Sequence, residues 1–390
     1  MPQTHLSKAE VLEKTEAYRQ YFLHTKRQIY LNHAAVSPLS TRVVAAITSH
    51  LHERSETDIE NFFPTLLPTL KSARGRVASF IGCEPKNIAF VQNTSYGLNL
   101  LAQGLKWRKG DRIILYEKEF PANVYPFLNL EKRGVKIDFV KDRNGEIYLD
   151  DIEALITPRT RLVSLSFVQF LTGYRLDLKA LATLCHRHGV LCSIDAIQGL
   201  GALPIDCKDS GIDFLASGGH KWAMSPMGTG FIYVSDALLE RLDPVMVGWT
   251  SVDDAWNMLD YRLELLPDAR RYELGMQNWI GIAGLNEAFG IFNEIGTDVL
   301  AEKILLLSDF LVEELVTKGF EPVLTCSREH RSGIMSIKNL PDVEHITKEL
   351  ANRNIEVSFR AGLLRIAPHF YNTCSELEAL ISELKQIVHR

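Results

Sequence analysis

This chain carries no excess of positive charge: 43 lysines and arginines stand against 48 aspartates and glutamates, a formal net charge of -5 over 390 residues. A nucleic-acid footprint or a patch for anionic lipid needs clustered cations, and no block of like charge stands out. No apolar run reaches the length of a membrane span. The opening stretch "MPQTHLSKAEVLEKTEAYRQYF" is charged throughout and lacks the apolar core of a signal peptide. The expected location is therefore the cytoplasm, with neither nucleic acid nor membrane as a partner. Six cysteines, Cys83, Cys185, Cys192, Cys207, Cys326 and Cys374, form no C-x-x-C pair and no zinc spacing with histidine. Reduced, mostly core thiols are expected, and no metal. Internal repeats and low-complexity segments are also missing. What remains is ordinary globular composition, 46% hydrophobic and 23% charged, enough for a large domain and a smaller one.

Residues 1–28 read as an amphipathic helical segment with Val11, Leu12, Tyr18, Tyr21 and Phe22 on its apolar side, packing with the small domain. Over 29–260, short apolar runs alternate with helical patterns. "NIAFVQN", "DRIILY", "VKIDFVK", "RLVSLSFV", "VLCSIDA", "IDFLAS" and "GTGFIYV" are the strand candidates. Such alternation predicts an α/β domain with a mostly parallel central sheet between helices. The composition then shifts, and 261–390 reads as a small C-terminal α/β domain with two long helices, strands "SGIMSIKN", "IEVSFR" and "LLRIAPHF", and a last helix. Thr373 and Glu376 form a capping-box signature at its start.

Open α/β sheets bind ligands outside the carboxyl ends of their strands, so the polar residues that close each apolar run matter most. "NIAFVQN" runs into "TSYGLNLLAQGL", where Thr94 and Ser95 open a helix; they serve either as caps or as phosphate ligands. "GVLCSIDAIQGLG" ends a strand with Asp195, either a turn residue or a carboxylate facing a pyridine nitrogen; Gln198 then donates to the ring's phenolic oxygen. "SGGHKW" sets Lys221 among small residues, as a solvated loop charge or as an amine held for Schiff-base chemistry. His220 or Ser217 could reach a phosphate. Arg365, on the apolar strand "GLLRIAP", needs an anion: a structural carboxylate or a substrate's. Lysine, aspartate, glutamine and a helix start together fit one ligand, pyridoxal 5'-phosphate.

The stretches "YLNHAAVSPL", "FVQNTSYGLNLLA", "EFPANVYP", "SIDAIQGLG", "SGGHKW", "RYELGMQNWIGIAGL" and "LRIAPHFYNT" resemble, in order, the class V aminotransferase family of fold-type I pyridoxal-phosphate enzymes. The likeness is greatest to the branch with cysteine desulfurases, selenocysteine lyases and isopenicillin N epimerase-like proteins. The resemblance implies Lys221 as the Schiff-base lysine and Asp195 as the pyridine partner. It further implies Gln198 as the phenolate partner, Thr94, Ser95 and His220 as phosphate ligands, and Arg365 as the grip on the substrate carboxylate. A homodimer is also implied.

Several positions depart from that pattern. Where the desulfurase branch has E-H-H-A-N, this chain has "EFPAN", so Phe120 is expected to stack on the cofactor without a titratable group. "RAGLLRIAP" has no room for the lobe that carries the desulfurase cysteine, and Cys326 and Cys374 do not take its place. Met276 stands where many relatives have a threonine that reaches the partner subunit's phosphate. Ser217 lies one residue farther from the lysine than in "SGHK" relatives. Gln169 is assigned to the cofactor where relatives have an asparagine. His33, Trp222, Trp249 and His369 are candidates for the side-chain pocket and receive no role. The expected function is Schiff-base chemistry on an α-amino acid, aminotransferase class V-like. A C–S lyase or epimerase is the alternative, and a non-catalytic cofactor-binding protein or a sulfur relay stands further off.

Overall fold

The computed structural model describes residues 7–57 and 62–389; residues 1–6 of the expected N-terminal segment lie outside them. Ser7 caps the first helix, Lys8–Arg19, in a reciprocal capping box with Glu10. The helix ends sooner than the apolar pattern suggested, and a short 3-10 turn, Leu23–Lys26, follows. Arg19 then ties this segment to the far end of the chain, donating to the Tyr371 carbonyl and to Glu376, both at 2.7 Å.

Two strands of the minor pairings and eleven of the two main sheets organise the rest. In chain order these are β1 (Ile29–Tyr30), β2 (Ile88–Val91), β3 (Arg112–Tyr116), β4 (Lys136–Val140), β5 (Thr160–Ser166), β6 (Leu191–Asp195), β7 (Phe214–Gly218), β8 (Gly230–Val234), β9 (Glu321–Pro322), β10 (Met335–Lys338), β11 (Ile355–Glu356), β12 (Ser358–Arg360) and β13 (Leu363–Ile366). The large sheet has the order β2-β8-β7-β6-β5-β3-β4, with β8 antiparallel to both neighbours and β3 through β7 parallel. Its central strands are buried along their whole length, which is why they read as continuous apolar runs rather than alternating ones. All seven strand candidates of the first half fall in this sheet.

The small antiparallel sheet has the order β12-β13-β10-β9. Ala361 and Gly362, with φ of 48° and 81°, make the two-residue turn between β12 and β13; positive φ at both central residues is what a tight hairpin needs. A parallel pairing of β1 with β11 stitches the start of the large body to the small one. Helix Trp279–Ile295 packs on helices Thr41–His52 and Leu67–Phe80, beside the large sheet. We therefore place the passage between the two bodies after that helix rather than at 260/261. Helix Cys374–Val388 closes the chain with the expected Thr373–Glu376 capping box.

Candidate functional site

The parallel strands β5, β6 and β7 bring their carboxyl ends side by side: Ser166 pairs with Asp195, and Asp195 with Ala216. Asp195 is wholly buried. Its Oδ1 accepts the Ile197 N–H at 3.0 Å, while Oδ2 has no protein partner. Burial pushes its carboxyl up to about 7, the buried charge of Glu119 adds to the rise, and the Ile197 N–H and Lys221 oppose it.

Lys221 follows β7 in a turn closed by two backbone bonds, Gly219 N–H to Thr229 O at 2.7 Å and Ser225 N–H to Gly219 O at 2.9 Å. A Cβ on Gly219 would lie 1.8 Å from Ser225 Oγ, so any side chain there would displace the Ser225 hydroxyl from this closure. The lysine is buried, and its Nζ stands 5.2 Å from the centroid of the Phe120 ring. Its amine is lowered to about 8, chiefly by burial, with Asp195 opposing and Arg365 and Arg360 adding to the fall. An amine so placed is a nucleophile near neutral pH.

Thr94 begins helix Thr94–Gly104, but the cap is Asn93, whose side chain accepts the Tyr96 N–H at 2.8 Å. Both hydroxyls of the "TS" pair are thereby free of capping. Thr94 Oγ1 accepts the Gly218 N–H at 2.8 Å, which binds the helix start to the end of β7; its own proton remains available. Ser95 is exposed at the same helix start, and His220 is half-buried beyond Gly218. Burial depresses the His220 imidazole below its usual value, with the Lys221 charge adding.

Ser217 is not brought to this group. Its hydroxyl donates to the Gly218 carbonyl at 3.0 Å. Strand alternation also sets it on the opposite face of β7 from Ala216, against which Gly97 of the Thr94 helix packs.

Gln198 spans two of the quoted stretches. Its Nε2 donates to the Ala34 carbonyl at 3.0 Å and its Oε1 accepts the Trp222 indole N–H at 2.9 Å, which leaves one amide N–H unspent. Gln169 is buried with Oε1 unpartnered. Phe120, 40% exposed, packs edge-on against Phe170 at 5.3 Å between centroids.

Arg365 comes from the other body. It is only 2% exposed, yet among the described residues it has no carboxylate partner. Its Nε donates to Ser358 Oγ at 3.2 Å and its Nη1 to the Phe170 carbonyl at 2.9 Å. The second Nη1 hydrogen and both on Nη2 stay free, which is the fork that receives a carboxylate. Burial lowers the guanidinium to about 10, with Arg360 adding. The structural ion pair weighed as its alternative is thus missing among the described residues.

His33, Trp222 and His369 form one buried aromatic cluster, with centroid separations of 5.2 Å between the histidines and 5.3 Å from Trp222 to His369. Trp249 is elsewhere, packed edge-on against Trp256. Met276 is exposed.

Glu119 escaped the reading of the sequence although "EFPAN" contains it. Its buried carboxylate accepts from Ser166 N–H at 2.8 Å, Ser166 Oγ–H at 2.5 Å and Phe120 N–H at 2.9 Å, so it pins the Phe120 loop to the end of β5. Arg360 enters the sequence reading only as the start of "RAGLLRIAP", without a role; the register and the two-residue turn place it on the same face of the hairpin as Arg365.

A buried carboxylate with an unpartnered oxygen, a low-pKa lysine under an aromatic ring and a helix start whose Thr94 and Ser95 hydroxyls are not used as its cap fit a pyridinium phosphate aldehyde. Comparison with known proteins agrees. The chain is 30% identical to a probable cysteine desulfurase of Methanothermobacter thermautotrophicus, over 97% of this chain and 99% of that one. It is 28% identical to isopenicillin N epimerase of Amycolatopsis lactamdurans, over 92% and 94%. Its fold matches a cysteine desulfurase from Thermococcus onnurineus NA1 with a TM-score of 0.88 at 24% identity, covering 96% and 98% of the two chains. The family model described as aminotransferase class-V matches residues 29–379, and the chain belongs to that family of pyridoxal-phosphate enzymes.

Proposed function

We propose that this enzyme acts on an α-amino acid with a free carboxylate, in an aminotransferase class V-like reaction in which Lys221 holds pyridoxal 5'-phosphate. The observation that carries the reading is the opposition of Lys221, with its lowered amine, to the unpartnered Oδ2 of Asp195 under Phe120. When bound, the cofactor supplies a sink for the electrons left behind as the α-proton departs.

The chain's own groups do the rest. Thr94, Ser95 and His220 hold the phosphate at the helix start. Asp195 Oδ2 keeps the ring nitrogen's proton in place, and Gln198 has one N–H to give to the phenolic oxygen. Gln169 lines the same strand end. Phe120 would stack on the cofactor and exclude water, and the free fork of Arg365 would orient the substrate by its carboxylate. Lys221 would be the base that takes the α-proton.

Three outcomes share that first proton removal: transamination, elimination and epimerisation. A C–S lyase or an epimerase is the second reading, supported by the likeness to a probable cysteine desulfurase and to isopenicillin N epimerase. Epimerisation needs a proton delivered from the face opposite Lys221, and Phe120 offers none, which favours the other two.

A homodimer belongs to the same reading. It is supported by the exposed apolar side chains Leu259, Tyr261, Leu263 and Met276, which a partner would cover. Light scattering tests it, and a fully active monomer overturns it.

Borohydride reduction of the yellow protein followed by peptide mapping is the direct test. The adduct is expected on Lys221, and an adduct on any other lysine overturns the assignment. An amino-acid panel read for keto acid, sulfide and α-deuterium incorporation then separates the reactions.

A further inference from the structure

Trp222, which directly follows Lys221, is the largest fully buried side chain among the described residues. Packing accounts for the apolar body of its indole but not for the ring nitrogen. Nε1–H donates to Gln198 Oε1 at 2.9 Å, and the other end of the same amide, Nε2–H, donates to the Ala34 carbonyl at 3.0 Å. Gln198 is itself buried, three residues past the end of β6. Segments that follow β1, β6 and β7 therefore meet on one amide.

The indole has no freedom to leave this bond. A Cβ on Gly333 would lie 2.4 Å from its Cη2, and one on Gly201, whose φ is 94°, would lie 2.3 Å from the Trp222 carbonyl oxygen. That oxygen accepts from His369 Nε2 at 2.9 Å. His369 Nδ1 accepts the Phe370 N–H at 2.8 Å, which places the imidazole proton on Nε2. Burial lowers this imidazole to about 3, so it stays a neutral clamp on the Trp222 backbone.

Donor and acceptor chemistry gives the arrangement a direction. An indole only donates and a carbonyl only accepts, so each partner admits one orientation of the Gln198 amide, and both demand the same one. That orientation leaves the second Nε2 hydrogen unspent. Without the indole N–H, Oε1 is a buried acceptor with no donor, and the amide turns on a single remaining bond. We infer that Trp222 is a positioning residue: its indole N–H fixes the Gln198 amide so that the free N–H is presented to the phenolic oxygen of the cofactor. The inference rests on the role proposed for Gln198 and adds the group that orients it. A hydrogen bond given to that oxygen draws charge from it and weakens its hold on the proton at Lys221 Nζ.

The pH midpoint of the holoenzyme's visible band reads that proton without any turnover. Loss of one hydrogen bond to the phenolic oxygen is expected to raise the midpoint by about half to one pH unit in Trp222→Phe, with the cofactor content per chain retained. Gln198→Ala is expected to raise it at least as far, and Trp222→Phe combined with Gln198→Ala no further than Gln198→Ala alone, since both act through one N–H. If Trp222→Phe does not fold, benzothienylalanine in place of Trp222 keeps the bicyclic shape, lacks only the N–H and gives the same reading. An unchanged midpoint in the tryptophan variant beside a raised one in Gln198→Ala overturns the inference and leaves Gln198 in its role. Additive shifts in the double variant also overturn it, because Trp222 would then act by another route. An unchanged midpoint in Gln198→Ala removes the proposed role of Gln198, and the inference with it.

Discussion

Nη1 of Arg365 donates to the carbonyl oxygen of Phe170 at 2.9 Å. One residue lies on the small sheet and the other just past β5 of the large one, so this bond sets the distance between the substrate grip and the strand ends that carry Asp195. The edge-on contact of Phe170 with Phe120 extends the link to the ring that stands over Lys221.

Arg365→Lys keeps the charge but loses both the fork and the planar reach to Ser358 and Phe170. We expect kcat/KM to fall about a hundredfold, most of it through KM, equivalent to about 3 kcal/mol. Steady-state kinetics on the best substrate of the panel checks this. An unchanged KM would place the carboxylate elsewhere.

Asp195→Asn removes the charge that holds the ring nitrogen's proton while leaving Thr94, Ser95 and Lys221 to keep the cofactor bound. Exchange of the substrate α-proton with deuterium is expected to slow by about 3 kcal/mol or more, the scale of losing a preorganised charge at a reacting centre. Near-normal exchange would remove Asp195 from the mechanism.

The Lys221 amine, lowered to about 8, gives a pH dependence with a definite sign. Capture of pyridoxal 5'-phosphate by the apoprotein needs the neutral amine, so its rate should rise about tenfold per pH unit below that value and level off above it. Asp195 favours the protonated lysine, so Asp195→Asn should move the inflection to lower pH; Arg360 disfavours it, so Arg360→Gln should move it higher. Stopped-flow absorbance from pH 6 to 10 reads all three profiles, and an inflection near the usual lysine value would contradict the buried placement.

Desulfuration of free cysteine with persulfide formation is not expected, because the two-residue turn at Ala361–Gly362 leaves no lobe to carry a thiolate to the substrate. Cys326 is buried, and its thiol is raised to about 11, mainly by burial. Cys326→Ser and Cys374→Ser, singly and together, should leave any release of alanine or sulfide from cysteine unaltered. Rapid alanine formation that either change abolishes would identify a nucleophile missed here.

Glu119→Gln keeps the shape of a buried acceptor but replaces one accepting oxygen with an N–H that faces donors from Ser166 and Phe120. The expected loss is about 1–3 kcal/mol of stability, seen as a lower Tm in the apoprotein. Removal of its charge should also bring the Asp195 carboxyl down, since Glu119 is one of the groups that raise it. Infrared titration of that carboxyl in the apoprotein would show whether it moves.

Local pattern was enough to read the strands of the large sheet, because the central ones are buried on both faces and so appear as unbroken apolar runs. Asp195, Lys221 and Thr94 were legible for a related reason: each ends a strand, follows one in a turn or opens the next helix. Contacts between distant segments were not legible. Pattern alone could not show that Asn93 rather than Thr94 caps the helix, or that Ser217 falls on the far face of β7. Nor could it show that Glu119 anchors Ser166 across 47 positions, or that Arg360 and Arg365 share a face with no acidic partner among the described residues. Helix Trp279–Ile295 joined the large body for a related reason, since periodicity reveals that a helix has an apolar side but not what covers it. The sequence by itself determined the elements and the chemical identity of their ends; only the tertiary structure decided which of those ends meet, because burial, free valences and like-charge neighbours are properties of the assembled site.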